Sequence, residues 1–199
     1  MTSRRGTSLF LALRRDQRGV TLLELVIALG LLAVALASVY GYAATGGRSA
    51  KVTNDLLQTQ NQVRAALDNL VDEIRWAQSV SAASASSVTV FIPQNTPFSA
   101  ASPYTATFAY DAAADTVTRQ EDPDAGGPLL PGPAEALAFS VVRLDGSNGL
   151  VFEYYDAAGT SLGSAPADLS AVVRVRLTVT TTRDGVSRTF AGDTTLRGR

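Results

Sequence analysis

Few side chains in this sequence could do chemistry. The 199 residues include neither Cys nor His, which excludes thiol nucleophiles, imidazole bases, disulfides and zinc fingers. A hydrolase without these groups would depend on two carboxylates, and no spacing in the sequence singles out such a pair. We therefore expect a protein that is not an enzyme, with no catalytic residue, no cofactor and no small-molecule substrate.

Glu24 is the acidic residue whose position needs a reason. It stands at the head of an apolar run, RGVTLLELVIALGLLA at residues 18–33, and the 20 residues 25–44 carry no charge. Burying an ionised carboxylate in hydrocarbon costs several kcal/mol unless the charge finds a partner. A membrane segment that begins with such an acid therefore needs something to neutralise it.

Residues 25–44 have the length of a transmembrane helix, about 20 residues. Residues 1–19 hold five Arg and one Asp, and no Arg follows the apolar segment immediately, so the positive-inside rule places the N-terminus in the cytoplasm. An ordinary signal peptide has a shorter apolar region and a small-residue cleavage site. A plain signal anchor fits the length and the charge but gives no reason for Glu24.

A helical rhythm follows Gly46 and Gly47. Apolar residues recur at steps of three, four or seven, the single stripe of an amphipathic helix: Val52, Leu56, Val63, Leu67, Leu70, Ile74 and Ala77. No Pro precedes Pro93. We therefore predict a nearly continuous helix from about Leu22 to Ser79, in which the first half is transmembrane and the second half packs on a domain.

The rest of the chain is predicted to form strands. β-Branched and aromatic residues with partial alternation mark seven of them, at 87–92, 104–110, 115–120, 137–143, 150–155, 171–181 and 187–196. The polar connectors suit antiparallel hairpins, and Asp145, Asp156 and Asp184, each in a turn with a Gly, are interpreted as turn formers. The predicted fold class is α+β, a long N-terminal α-helix packed on an antiparallel β-sheet domain.

The stretch RGVTLLELVIALGLLA resembles the class III signal of type IV prepilins and pseudopilins. The resemblance implies that a prepilin peptidase cuts after Gly19, that Val20 becomes the N-methylated new N-terminus, and that Glu24 pairs with a neighbouring subunit's N-terminal amine. It implies four regions: a leader peptide at 1–19, a transmembrane and filament-core helix at 20–46, an amphipathic helix at 47–80 and a β-sheet head domain at 81–199.

The downstream sequence is most similar to PilW-like minor pilins and J-type minor pseudopilins. The similarity rests on VDEIRWAQSV, YTATFAYDAAADTVTRQ, LVFEYYDAAGTSL and AVVRVRLTVTTT. It implies a minor subunit in a tip or priming complex that supports pilus assembly, DNA uptake or type II secretion. The implied partners are other minor and major pilins or pseudopilins, the prepilin peptidase and the inner-membrane assembly platform. The subunit would cross the inner membrane once, with its head in the periplasm, before it enters a pilus or pseudopilus.

Two features downstream of the transmembrane segment admit a second interpretation. Glu121, Asp122 and Asp124 could bind calcium, but their spacing fits no EF-hand, and Pro123 with the Gly residues that follow favours a solvated turn. Trp76 could anchor a partner subunit, although packing in the core or at a sheet edge is the expected role.

Two further alternatives concern partners. Arg174 and Arg176 alternate on a strand, with Arg183 and Arg188 nearby, and could bind DNA phosphates. Residues 20–199 contain 12 basic and 17 acidic side chains, which disfavours direct DNA binding. For the whole chain, the alternative is a signal-anchored periplasmic binding module unrelated to filaments, which predicts no processing at Gly19.

Overall fold

A computed structural model describes residues 21–124, 127–183 and 185–197 of the chain. The chain forms two compact units, Met1–Ser49 and Ala50–Arg199. The first contains the N-terminal part of the helix α1, Leu22–Arg75. The second contains the C-terminal part of α1 and all the strands.

Helix α1 begins where the sequence predicts and ends four residues earlier. Its last turn tightens, with Trp76 N–H donating to the Glu73 carbonyl (3.1 Å) and Ala77 N–H to the Ile74 carbonyl (3.0 Å). Gln78 N–H then bonds to the Phe91 carbonyl (2.9 Å), and the chain continues as a strand. The prediction of helix to Ser79 was therefore wrong. Ala favours a helix by intrinsic propensity and Ser favours neither state strongly, so pairing with a neighbouring strand overrides local preference here.

The strands form two antiparallel sheets, whereas the sequence predicted one. The first has the order β1-β2-β3-β4-β5 and the second β7-β6-β8-β9. The first comprises β1 Ser79–Ala83, β2 Ser87–Ile92, β3 Tyr104–Asp111, β4 Thr116–Asp122 and β5 Glu135–Ala138. The second comprises β6 Leu150–Tyr155, β7 Ser161–Gly163, β8 Arg174–Arg183 and β9 Val186–Thr195.

Six predicted strands are present at or near their predicted positions. Strands β1 and β7 were missed because both are short and rich in small residues. The predicted strand 137–143 was misplaced: β5 stops at Ala138, and Ser140 adopts a positive φ of 57° that breaks the extended chain. The strand predicted from 171 begins at Arg174, because a 3₁₀ turn at Leu169–Ala171, capped by Asp168, occupies the preceding residues.

One core joins the C-terminal part of α1 to both sheets. The apolar stripe is largely confirmed, since Val63, Leu67, Leu70, Ile74 and Ala77 are buried, with Ala77 just beyond the helix end. Val52 is exposed, and Leu56 is half-buried. The sheets contribute large buried side chains, chiefly Phe108, Phe152, Tyr154 and Leu177. The head is therefore an α+β domain.

Candidate functional site

The N-terminal helix begins at a capped turn. Glu24 N–H donates to Thr21 Oγ1 (3.3 Å), and Leu25 N–H donates to the Thr21 carbonyl (3.1 Å). Thr at the cap with Glu three residues later is the sequence pattern of a capping box. A carboxylate in the first turn also lies at the positive end of the helix dipole. Glu24 therefore has a local role in addition to the predicted pairing.

The apolar surface after Glu24 has no cover within the chain. Every residue from 21 to 47 is exposed, and Leu22 is 82 % and Tyr42 85 % exposed. Soluble monomers rarely expose contiguous apolar patches larger than a few hundred Å². By length and composition α1 can cross a membrane. This apolar helix fits membrane anchoring.

Two of the three residues predicted to be functional cannot be placed. Gly19, the predicted cleavage residue, and Val20, the predicted methylated residue, lie outside the described residues. Glu24 is described and is exposed in the first turn of α1. The local geometry of the site is therefore that of Thr21, Glu24 and the apolar helix that follows.

A buried ion cluster in the head was missed by the sequence analysis. Glu73 on α1 is 4 % exposed. Arg119 on β4 donates two hydrogen bonds to the Glu73 carboxylate, from Nε to Oε2 (2.9 Å) and from Nη2 to Oε1 (2.7 Å). Tyr104 on β3 donates its hydroxyl to Glu73 Oε1 (2.7 Å), and Arg119 Nη2 also reaches Glu121 Oε2 (2.8 Å). Bidentate charged pairs of this kind are among the stronger hydrogen bonds, and this one joins α1 to the first sheet.

One signal in the sequence could have identified Glu73. It lies three residues after Leu70 and four before Ala77, which places it on the apolar stripe of the helix. An acid at such a position needs a partner. Its partner Arg119 is 46 residues away, on a strand whose register the sequence does not reveal.

The pKa values in this cluster shift because of burial and pairing. Burial, followed by the hydrogen bond to Glu73, raises the pKa of the Tyr104 phenol. The hydrogen bond to Glu73 raises the pKa of the Arg119 guanidinium against the opposing effect of burial. A cavity of about 300 Å³ lies beside the cluster, lined also by Phe98 and Phe108. The shifts keep the phenol neutral and the guanidinium charged, and the arrangement serves to hold α1 on the sheet.

The acidic loop proposed for calcium organises its own backbone. Asp124 accepts the N–H groups of Leu129 (2.7 Å) and Gly127 (3.0 Å), and these bonds, the one from Leu129 first, lower its pKa. Asp122 Oδ1 accepts Asp124 N–H (3.3 Å), while Glu121 faces Arg119. Within the described ranges, no group of three or more acidic side chains is placed to hold a metal ion.

The arginines proposed for DNA binding mostly face acidic or aromatic neighbours. Arg174 forms a bidentate pair with Asp193 (Nε to Oδ1, 2.6 Å) and lies over the Tyr155 ring. The hydrogen bond to Asp193 raises the pKa of Arg174. Arg183 donates to Thr59 Oγ1 (3.2 Å), and Arg176 pairs in register with Glu153 and Asp193. Arg174 and Arg183 are thus paired with acids within the head, and Arg176 lies in register with two acids, so the described residues give no uninterrupted cationic strip.

The remaining singled-out residues have local roles. Trp76 is half-buried, and the Arg197 guanidinium lies 4.8 Å from its ring centroid, which agrees with edge packing. Asp145 accepts Ser147 N–H (2.9 Å) and Asp156 accepts Thr160 N–H (2.7 Å), so both are turn formers as predicted. Asp184 lies outside the described residues.

A comparison with protein families finds a match at the N-terminus. Residues 14–40 match the family model described as the prokaryotic N-terminal methylation motif. No curated protein matches the chain. The motif indicates a type IV pilin-like precursor that is processed for a pilus or pseudopilus, and it supports the type IV pilin and pseudopilin family. In general terms it points to other pilins and a prepilin peptidase as interacting proteins. Proteins with this motif are typically structural.

Proposed function

We propose that this chain is a minor pilin or pseudopilin whose assembly depends on a charge pair made by Glu24. In this proposal a prepilin peptidase removes residues 1–19, and the new N-terminus, Val20, is methylated. Residues 20–46 then serve as membrane anchor and later as filament core. Glu24 pairs there with the N-terminal amine of a neighbouring subunit. The observation that supports this most is an acid at the capped start of an apolar helix with no cover of its own.

The magnitudes favour pairing over capping as the reason for Glu24. A carboxylate in the first turn of a helix contributes about 0.3–1 kcal/mol through the dipole. Burying the same ionised group in lipid or in a filament core costs several kcal/mol when it is unpaired. Capping alone therefore does not offset burial. A partner amine does, and cleavage after Gly19 is the step that creates one.

The proposed sequence of events follows from the cost of burying Glu24 without a partner. In the membrane, the unpaired Glu24 carboxylate is unfavourable, which favours leaving the bilayer. In the filament it meets the amine of Val20 from a neighbour, and helix packing covers the apolar surface of residues 22–42. The head, residues 81–199 in the proposed division, stays outside this core. We place the subunit in a tip or priming complex of a type IV pilus or pseudopilus, supporting pilus assembly, DNA uptake or type II secretion.

Three variants separate the pairing role from the capping role. Glu24→Gln keeps a side chain that can cap the helix but removes its charge, while Glu24→Ala removes both. Thr21→Ala weakens the cap and leaves the charge, with Thr21→Ser as its matched control. We expect both Glu24 variants to be cleaved normally and to be lost from the sheared filament or minor-subunit complex, and both Thr21 variants to assemble.

The measurement is immunoblotting of processed subunit in membrane and filament fractions. Assembly of Glu24→Gln at the wild-type level would contradict the charge pair and leave capping as the role of Glu24. Loss of cleavage in the Glu24 variants would contradict the separation of processing from assembly.

A further inference from the structure

Strand β9 is a long free edge of the second sheet. It runs from Val186 to Thr195 and pairs with β8 alone, in a continuous register without a bulge. Its residues Thr189, Ala191, Asp193 and Thr195 are exposed. Among the described residues, no backbone hydrogen bond connects β9 with any segment other than β8. Ten residues of regular strand therefore offer one unpaired side.

The hairpin register shows which backbone groups lie on that side. Bonded and non-bonded pairs alternate along an antiparallel ladder, and the bond from Leu196 N–H to the Val173 carbonyl (2.9 Å) fixes the phase of this one. In the register of β8 with β9, the even-numbered residues of β9 therefore bond to β8. The N–H and C=O groups that point outward belong to Ser187, Thr189, Ala191, Asp193 and Thr195.

The other three sheet edges are protected in ways that β9 is not. Strand β1 has a register shift between Val80 and Ala82 and packs beside the 3₁₀ turn Leu169–Ala171. Strand β5 has four residues, and β7 has three with a register shift of its own. Short or bulged edges are the usual protection against pairing with another chain. Strand β9 has no bulge and no Pro or Lys.

Helix α1 packs beside this edge, and its side chains form an apolar surface there. The Arg64 guanidinium lies 5.7 Å from the centroid of the Phe190 ring. Gly192 approaches α1 so closely that an added Cβ would lie 2.5 Å from Val71 Cγ2. Phe190 and Val71 are both half-buried. A further strand beside β9 would cover them with every second side chain, so those side chains should be apolar.

The two ends of β9 differ in charge. Arg188 lies on the same face as Phe190, which Arg64 covers, and within the described ranges Arg188 has no ion pair. Asp193, farther along β9, is already held by Arg174. The end of β9 nearest the hairpin therefore carries a cation without an acidic partner among the described residues. A carboxylate there would complement it.

We propose that β9 accepts an extended strand from a different protein chain, which adds to the second sheet through main-chain hydrogen bonds. The incoming strand carries apolar residues at alternate positions facing Phe190 and Val71, and an acidic residue next to Arg188. Pairing through the backbone gives affinity, and the side chains on the helix face give selectivity. The occupant is a partner subunit if the proposed function holds, but the edge and its chemistry do not depend on that function.

The test places a photo-crosslinking residue at Thr189 of the full chain, in the cells that make it. Ala191→Pro removes an outward N–H without breaking the bonds to β8, since Pro is tolerated on the open side of an edge strand. Ala191→Ser is the matched control, and Ala191→Lys is a second block by charge. We expect cross-links from Thr189 to one extended segment of another protein, reduced roughly tenfold by Pro and by Lys and unchanged by Ser, as loss of about 1.4 kcal/mol would give.

A second arm tests the charge. Arg188→Glu should lower the yield several-fold, and an acid-to-Arg change in the cross-linked segment should restore it. A urea unfolding curve that is unchanged from wild type shows that a variant is still folded. If Ala191→Pro unfolds, Ala191→Lys serves as the block in its place. Cross-links that persist in both block variants, that fall on β9 of a second copy or on lipid, or that do not form at all would overturn the proposal. Processing at Gly19 is measured separately, so that failure of the filament role and failure of the edge remain distinct.

Discussion

At the scale of single residues, the most consequential pair in the head is Glu73 and Arg119. A carboxylate that is 4 % exposed on the apolar stripe of a helix would be costly without its guanidinium partner. Removing one member of such a pair destabilises a protein much more than replacing both with apolar residues, because a single change leaves the other charge buried without a partner. The pair therefore favours one position of α1 on β4, and the free energy needed to remove the two charged groups from water opposes this gain.

We predict that Arg119→Met destabilises the head by about 3–5 kcal/mol, since it leaves the buried Glu73 carboxyl group with only Tyr104 as a partner. The double variant Glu73→Leu with Arg119→Met should recover most of that loss. Urea unfolding of the detergent-solubilised chain, monitored by Trp76 fluorescence, measures both. A cost below about 1 kcal/mol for Arg119→Met would show that the pair contributes no more than an exposed salt bridge.

Only one member of the pair can be recognised from the sequence. The position of Glu73 on the stripe can be predicted from Leu70 and Ala77, because helical spacing is local. The identity of Arg119 as its partner cannot, because it depends on the register of β3 with β4, which a sequence pattern does not determine.

A second residue-scale prediction concerns pH. Tyr110 donates to Asp115 Oδ1 (2.6 Å), and this bond, with burial, raises the pKa of Tyr110 to about 12 from an ordinary value of about 10. Because the folded state holds this proton more tightly than the unfolded state, the stabilisation is complete below pH 10 and is lost as the pH rises from 10 to 12.

Asp115→Asn should lower the pKa of one tyrosine toward 10, and Asn suits the positive φ of 51° at this position. Tyrosinate absorbance against pH measures this, with the turn variant Asp156→Asn as control. An unchanged titration in Asp115→Asn would refute the assigned cause.

At the scale of elements, Gly192 determines how closely α1 lies on β9. The absence of a side chain there lets Val71 of the helix approach the strand, and Leu177 and Leu67 line the same contact. Close approach of a helix to a sheet is one of the uses of Gly inside a strand. The apolar surface that α1 presents beside β9 depends on the same contact.

We predict that Gly192→Ala destabilises the head by about 1–3 kcal/mol through overpacking. Val71→Ala should recover part of the loss in the double variant, because it removes the atom that the new Cβ would meet. Chemical denaturation of the four proteins gives the coupling energy. Additive effects in that cycle would mean that Val71 is not the limiting contact.

Elements differed in how well the sequence predicts them. Strands β2 and β6 lie at 87–92 and 150–155 as predicted, because β-branched and aromatic residues mark them. Strand β1 was missed since its Ser and Ala residues take their conformation from β2. The division into two sheets was also missed, because alternation indicates strands but not which strands pair.

At the scale of the whole molecule, residues 21–47, the described part of the N-terminal unit, have no core of their own, whereas the head has one. Residues 21–47 are exposed throughout, and the head buries a continuous apolar cluster. The N-terminal unit thus needs a membrane or other subunits to cover it, whereas the head does not. An exposed apolar segment followed by an amphipathic one can be expected from the sequence, because uncharged length and helical rhythm are local properties.

The central claim is that this chain is processed as a prepilin, and the most direct test is the intact mass of the protein purified from cells with and without prepilin peptidase. We predict residues 20–199 carrying one N-terminal methyl group on Val20 when the peptidase is present, and the unprocessed chain when it is absent. An N-terminus at Met1, or a cut near Gly46, in cells with the peptidase would contradict the account and support a signal-anchored protein unrelated to filaments.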